Sequence, residues 1–500
     1  MMRPGSRGVL VAGLVGLAGL GVARADRRLA IDTPIDTPID PPQFAPAAAV
    51  SPVIYLERCR GGCTVHLGAN DSRTNTSMIP SQPTSTIGEF ADDLGEIGAP
   101  ADAEWAQIVQ CMKEVYSPYA VMVTDVKPPA GASYHEAIIA GHPGDIGMTS
   151  DILGAAPLAS DCSAIDNVVS FTFANQHPPV GRVDNICWTA AQESAHAYGL
   201  DHEYAFSNHR SACSDPMTYR ADCGGQKFFR DQAATCGETA PRDCKCGGTQ
   251  NSHQKLVSVF GPGTPITRPP AVVMTEPVAT DGMLGAAVVA SAGAQRGVAR
   301  VALVINGFAW AEVPGAPFLA AGQPDPSSYS IAVPAALPDS IVDVQVVAYD
   351  DLEISTASPV VTVTKGAPCT TAAACATGQR CAAGKCLWDP PAGEIGDPCT
   401  YSQYCKSLYC EGAAGSQVCS QTCTVGAGSC PSSFVCEALV AGGDDGVCVT
   451  GGAGCCSVDR GGTGGWVPGG LAVALLVQVR LARRRRRPLR SQSPADDDSP

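Results

Sequence analysis

Cysteine constrains this chain more than any other residue type, because its 24 cysteines must be paired, metal-bound or kept reduced. Their distribution also divides the chain. Ten lie within residues 52–262, none within 268–365, twelve within 367–450, and Cys455 and Cys456 complete the set. The first residues decide the chemistry. Arg3 and Arg7 flank the start of an apolar run over residues 8–22, which ends in Ala23-Arg24-Ala25. A positive n-region, a short apolar stretch and a small-x-small site predict a secretory signal over residues 1–25. An exported chain meets an oxidising compartment, so the cysteines are expected as disulfides. The formal net charge of −15 argues against a nucleic-acid partner, which would need a basic face.

Behind the signal, residues 26–51 carry Asp-Thr-Pro-Ile-Asp-Thr-Pro-Ile-Asp-Pro-Pro. Proline at this density forbids helix and favours extended backbone, so a spacer is expected. A short cleavable propeptide is the other reading, although no cysteine in it could block a metal.

Residues 52–262 read as one α+β domain. A strand is expected at 53–56, and Cys59-Arg60-Gly61-Gly62-Cys63 as a tight loop closed by its own disulfide. Trp105, Ile108, Val109, Met112 and Val115 share one face of a helix over 103–115. A buried strand is expected over 119–126, with further strands at 144–148 and 168–173. His135 and His142 flank an expected loop and read as surface or hydrogen-bonded residues. Cys244-Lys245-Cys246 is expected to enter disulfides rather than a metal knuckle.

The chemistry concentrates in Gln192-Glu193-Ser194-Ala195-His196-Ala197-Tyr198-Gly199-Leu200-Asp201-His202. A helix starting near Ile186 would place Gln192 and His196, four apart, on one face. Gly199 can take the positive φ that ends a helix and turns the chain, returning His202 toward that face. Further on comes the tight turn Asp215-Pro216-Met217-Thr218-Tyr219. The pattern QExxHxxGxxH followed by this turn resembles the metzincin zinc metallopeptidases, whose signature is HExxHxxGxxH and a Met-turn. The resemblance implies that His196 and His202 are zinc ligands, that Glu193 is the general base and that Met217 underlies the metal. Tyr219 stands where astacin-like and serralysin-like members keep a tyrosine near the metal, and it could hydrogen-bond an oxyanion.

The first ligand position holds Gln192 instead of histidine. Glutamine oxygen is a weaker zinc donor than imidazole. Three readings stay open: Gln192 ligates through its side-chain oxygen, a histidine such as His209 substitutes, or the site is metal-free. The expected function is an exported, surface-displayed zinc metalloendopeptidase acting on extracellular proteins or peptides. The alternative is a non-catalytic surface binding protein on a degenerate protease scaffold.

Past residue 268 cysteine disappears, and β-branched alternation over residues 268–365 predicts an all-β sandwich resembling immunoglobulin-like modules, with a spacing or weak binding role. Residues 367–450 are too poor in aliphatics for an ordinary core and are expected as a disulfide-rich module. Pro-Cys-Thr opens two blocks there, one with cysteines 369, 375, 381 and 386, the other with eight from 399 to 448. In the tail, over residues 451–490, residues 461–479 carry no charge and could span a bilayer as a transmembrane segment. Arg480 and the arginines at 483–487 would hold that end in the cytoplasm. Cysteine, short span and arginine cluster resemble the MYXO-CTERM sorting tail. That resemblance implies attachment to the cell surface or outer envelope, or release after tail processing.

Overall fold

The runs 53–57 and 135–139 form two neighbouring parallel strands whose residues are buried along most of their length, as in a sheet covered on both faces. The structure, a computed structural model, describes residues 50–149, 151–204, 214–219, 226–278, 282–315, 326–412, 415–425, 430–432, 434–438 and 445–450, with the backbone of 35–36. The signal, most of the proline-rich spacer and the tail with its expected span at 461–479 lie outside the described residues. Among the described residues no helix is long and apolar enough to cross a membrane.

β1 (Val53–Glu57) is followed by α1 (Asp102–Tyr116) and by β2 (Met122–Thr124), which pairs parallel to β1. β3 (His135–Ile139), β4 (Gly154–Ala155) and β5 (Val169–Thr172) complete a five-stranded sheet of order β2-β1-β3-β5-β4. Every pairing is parallel except that of β4, the edge strand, which runs antiparallel to β5. The helical crossover from β1 to β2 makes this an α/β unit, a correction to the α+β class expected from the sequence. α2 (Arg182–Ala197) then packs against α1, and Cys111–Cys187 joins the two helices. Tyr116 Oη donates to Ala191 O at 3.0 Å across the same contact. Alanines at 190, 191, 195 and 197 are fully buried, and their small side chains let neighbours close around α2. α3 (Ser252–Phe260) ends the domain, with Asn251 capping its first turn by accepting from Gln254 N.

Several expected elements differ. The strand expected over 119–126 is only the three residues of β2; Met122 is exposed because β2 is a sheet edge. Residues expected as a strand at 144–148 form a 3-10 helix over Pro143–Ile146. Pro143 starts it, and Asp145 Oδ2 accepts from His142 N at 3.0 Å. His135 lies inside buried β3, not beside a loop. α2 starts four residues before Ile186, after Gly181 at φ +66°. In the spacer, Ile35 and Asp36 pair in parallel with Pro157 and Leu158.

The β-sandwich is as expected in kind. β6 (Ala271–Glu276), β7 (Ala287–Gly293) and β10 (Ser327–Ala332) form one sheet in the order β6-β7-β10. β8 (Arg300–Ile305), β9 (Phe308–Pro314) and β11 (Ser340–Tyr349) form the other, with β12 (Ser355–Ala357) and β13 (Val361–Lys365) both pairing with β11. Val342, Val344, Val346 and Ala348 alternate inward from β11, the period-two burial of a strand with one face in the core.

The cysteine-rich region holds crossed pairs: Cys369–Cys381 with Cys375–Cys386, then Cys399–Cys410 with Cys405–Cys419. A second compact unit, beginning at Thr422, carries Cys423–Cys436 and Cys430–Cys448 around a three-stranded sheet. The repeat is thus three four-cysteine modules, where the sequence suggested blocks of four and eight. In the α/β domain Cys59–Cys63, Cys162–Cys246 and Cys236–Cys244 are also bonded, so Cys244 and Cys246 form no metal knuckle; Cys213 and Cys223 lie outside the described residues.

Candidate metal centre

α2 ends where the site begins. Gly199 sits at φ +89°, and a Cβ there would stand 2.1 Å from Cys162 O, so no other residue fits this turn. Gly199 N donates to His196 O at 2.9 Å, and Leu200 N donates to Ala195 O at 3.2 Å. The reversal delivers Leu200 O to His196, whose Nδ1 donates to it at 2.7 Å. A carbonyl only accepts, so Nδ1 carries a proton, and in the neutral ring Nε2 keeps its lone pair.

His202 is fixed in the same sense. Its Nδ1 donates to Glu238 Oε1 at 3.0 Å. The hydrogen bond from His202 and those from Arg242 hold the Glu238 carboxyl near 2, against the opposing effect of burial. The two Nε2 atoms therefore face each other, 3.1 Å apart, with the rings edge-to-face at 86°. Two lone pairs cannot meet unassisted at that distance; either a proton or a metal ion must lie between them. Two nitrogens bound to tetrahedral zinc at the usual length stand about 3.3 Å apart, so the pair fits a shared ion.

Gln192 lies one helical turn before His196, on the same face of α2. It is fully buried, and neither its amide oxygen nor its nitrogen has a hydrogen-bond partner among the described residues. An unsatisfied buried amide costs roughly 1–3 kcal/mol, a cost that a ligand to the oxygen would remove. The donor set thus suits a metal ion through Gln192, His196 and His202.

Glu193 is fully buried and lies against the edge strand. A Cβ at Gly154 of β4 would stand 2.2 Å from Glu193 Oε1. Residues 215–218 form a tight turn: Met217 N donates to Asp215 Oδ1 at 2.8 Å, and Thr218 N donates to Asp215 O at 3.2 Å. Glu203 N donates to Met217 O at 2.9 Å, tying this turn to the residue after His202. Tyr219 places its ring 4.5 Å from that of His202. Glu193, His196, His202, Met217 and Tyr219 are thus gathered about the end of α2. His209 lies outside the described residues.

The sequence did not disclose the residues that hold His202. Arg242 bridges Asp201 and Glu238, with Nη1 donating to Asp201 Oδ2 at 2.5 Å and Nη2 to Glu238 Oε1 at 2.6 Å. Asp201, His202 and Glu238 are close enough to suggest a ligand group of their own. The Arg242 guanidinium already binds both carboxylates, so they act as supports for His202. The only sequence signal was a pair of opposite charges inside a cysteine-flanked loop.

His135 and His142 have hydrogen-bond partners of their own. His135 is buried on β3, pushed down to about 3 by burial, and shares a 2.8 Å hydrogen bond with Ser170 Oγ. His142 is exposed and lies 3.4 Å from Gln176 Oε1.

No known protein-family model and no curated protein matches the chain. Among solved structures, one match is titled "Structures of Clostridium thermocellum CbhA fibronectin(III)-like modules", at 20% identity and a TM-score of 0.16. The match covers 21% of this chain and 52% of that one, so the chain spans about half the length of the structure it matches.

Proposed function

We propose that residues 52–262 form a zinc-dependent metalloendopeptidase domain of metzincin type, exported, displayed at the cell surface and acting on extracellular proteins or peptides. The observation that carries this reading is the 3.1 Å approach of His196 Nε2 and His202 Nε2, with both Nδ1 atoms committed elsewhere. His196, His202 and the Gln192 oxygen would hold the ion. Gln192 is neutral, like the histidine it replaces in the signature, so the ion would keep its charge while being held less tightly. Zinc, when bound, supplies Lewis-acid polarisation of a carbonyl and lowers the pKa of water. Glu193 takes the proton of the attacking water and returns it to the leaving amine. Tyr219 donates to the oxyanion that develops at the carbonyl.

Export is supported by ten disulfides among the described residues. Attachment to the envelope through residues 451–490, as a MYXO-CTERM-like sorting tail, belongs to the same proposal.

Two observations favour a second reading, a non-catalytic surface binding protein on the same scaffold. One is the glutamine at the first ligand position. The other is the complete burial of Glu193, which a substrate must reach. Zinc content of the purified protein and casein cleavage separate the two. About one zinc per chain, with cleavage abolished in Glu193→Ala, supports the peptidase. Absence of both, with cleavage gained in Gln192→His, supports the binding protein.

A further inference from the structure

His202 is gripped at three points by one short loop. The loop is closed by Cys236–Cys244, eight residues apart in sequence. Gly237 N donates to His202 O at 3.0 Å. Glu238 Oε1 accepts from His202 Nδ1 at 3.0 Å. Arg242 reaches the third point through Asp201, whose Oδ1 accepts both Arg242 Nη2 at 2.7 Å and His202 N at 2.8 Å. The loop also has its own tight constraint. Gly237 lies at φ +138°, and a Cβ there would meet Ala240 O at 1.9 Å.

We propose that Glu238, carried on the loop closed by Cys236–Cys244, is the positioning residue of the site: it holds His202 with Nδ1 protonated and Nε2 turned toward His196. The inference rests on reading His202 as a ligand, and it adds a residue that the motif does not contain. Its physical basis is that imidazole can rotate and change tautomer, and a fixed carboxylate acceptor at Nδ1 permits only one choice. Arg242 is what makes that acceptor fixed. It is held by Asp201 in a bidentate contact and binds Glu238 through Nη2 to Oε1 at 2.6 Å and Nε to Oε2 at 3.4 Å, so the Glu238 carboxylate cannot swing away without breaking both bonds. Partners of this kind typically change metal affinity 10–100-fold when removed.

The test uses the full chain with its disulfides formed, as wild type, Glu238→Ala and the isosteric Glu238→Gln. Nitrogen-15 spectra of histidine-labelled, zinc-free protein report which ring nitrogen of His202 bears the proton, and chelator competition reports the zinc Kd. Expected are a protonated Nδ1 in wild type, loss of that single state in Glu238→Ala, and a zinc Kd weaker by about 10–100-fold. Glu238→Gln keeps an oxygen acceptor and should retain the Nδ1-protonated state, which separates a positioning effect from misfolding. An Nδ1-protonated His202 persisting in Glu238→Ala, with zinc affinity within about twofold of wild type, overturns the proposal. If the wild type binds no zinc yet the tautomer still depends on Glu238, the positioning role stands and the peptidase reading fails.

Discussion

Arg230 Nη1 donates to Asp351 Oδ2 at 2.8 Å, binding the α/β domain to the β-sandwich, while the backbone N of the same arginine donates to Asp215 Oδ2 at 2.9 Å. Asp215 is the residue whose other oxygen shapes the turn at Met217. Arg296 approaches Asp351 from the sandwich side at 2.7 Å and reaches Phe229 O at 3.3 Å. The sandwich, expected to serve for spacing or weak binding, is therefore bonded to the segment that carries the turn at Met217.

Removing Asp351 leaves two buried guanidinium groups without their shared carboxylate. Asp351→Ala should cost roughly 3–5 kcal/mol, read from urea unfolding of the full chain, whereas a pair contributing nothing would leave the midpoint in place. Burial opposes ionisation of Asp351, but Arg230 and Arg296 outweigh it and hold the carboxyl near 2. An unfolded aspartate titrates near 3.9. The stabilisation is thus fully present above pH 4 and is lost as the pH falls toward 2. Wild type should show this acid loss, and Asp351→Asn should lack it.

Gly154→Ala should injure catalysis without emptying the site. The added methyl would displace the Glu193 carboxylate, 2.2 Å away, and its three nearest neighbours all belong to Glu193. A shift of about 1 Å in a catalytic group can cost roughly 100-fold in rate. Peptide hydrolysis falling by that order, with zinc stoichiometry retained, is the expected result. Undiminished turnover would remove Glu193 from the proposed role.

Cys111–Cys187 fastens the site helix to α1 across 76 residues of chain. Replacing both cysteines by alanine should cost about 2–5 kcal/mol by freeing the unfolded chain and loosening α2. Thermal unfolding monitored with and without zinc measures it. A change of a few tenths of a kcal/mol would mean that packing alone holds α2.

Glu136 on β3 gives a pH dependence of opposite sign. It is fully buried, both its oxygens lack a partner among the described residues, and burial pushes it up to about 8, with Lys127 opposing. The unfolded chain ionises this group near its ordinary value of 4.5. Stability present below pH 4.5 is therefore lost as the pH rises toward 8, by on the order of 4 kcal/mol. Glu136→Gln should abolish this slope between pH 5 and 8. Parallel pH profiles for the two proteins would contradict the assignment.

The motif was legible because its physics is local. Gln192 and His196 share a helical face at four-residue spacing, and Gly199 marks the turn that returns His202. The sandwich was legible for a similar reason, since β11 alternates strictly. What escaped were features decided by distant chain. β3 carries His135 and Glu136 in a run buried on both faces, so polar residues masked a strand whose neighbours are 30 and more residues away. Pro143 and Asp145 turned an apolar stretch into a 3-10 helix. Glu238 meets His202 only after the chain has passed through the turn at Met217, and no spacing rule links the two.

The crossed cysteine pairs have a mechanical consequence. Any single nick between Cys369 and Cys386 is spanned by at least one bridge, and the same holds from Cys399 to Cys419. Severing the backbone inside either module leaves its two pieces covalently joined. Between Cys386 and Cys399 no bridge among the described residues crosses, so one cut there leaves no described bridge to join the two sides.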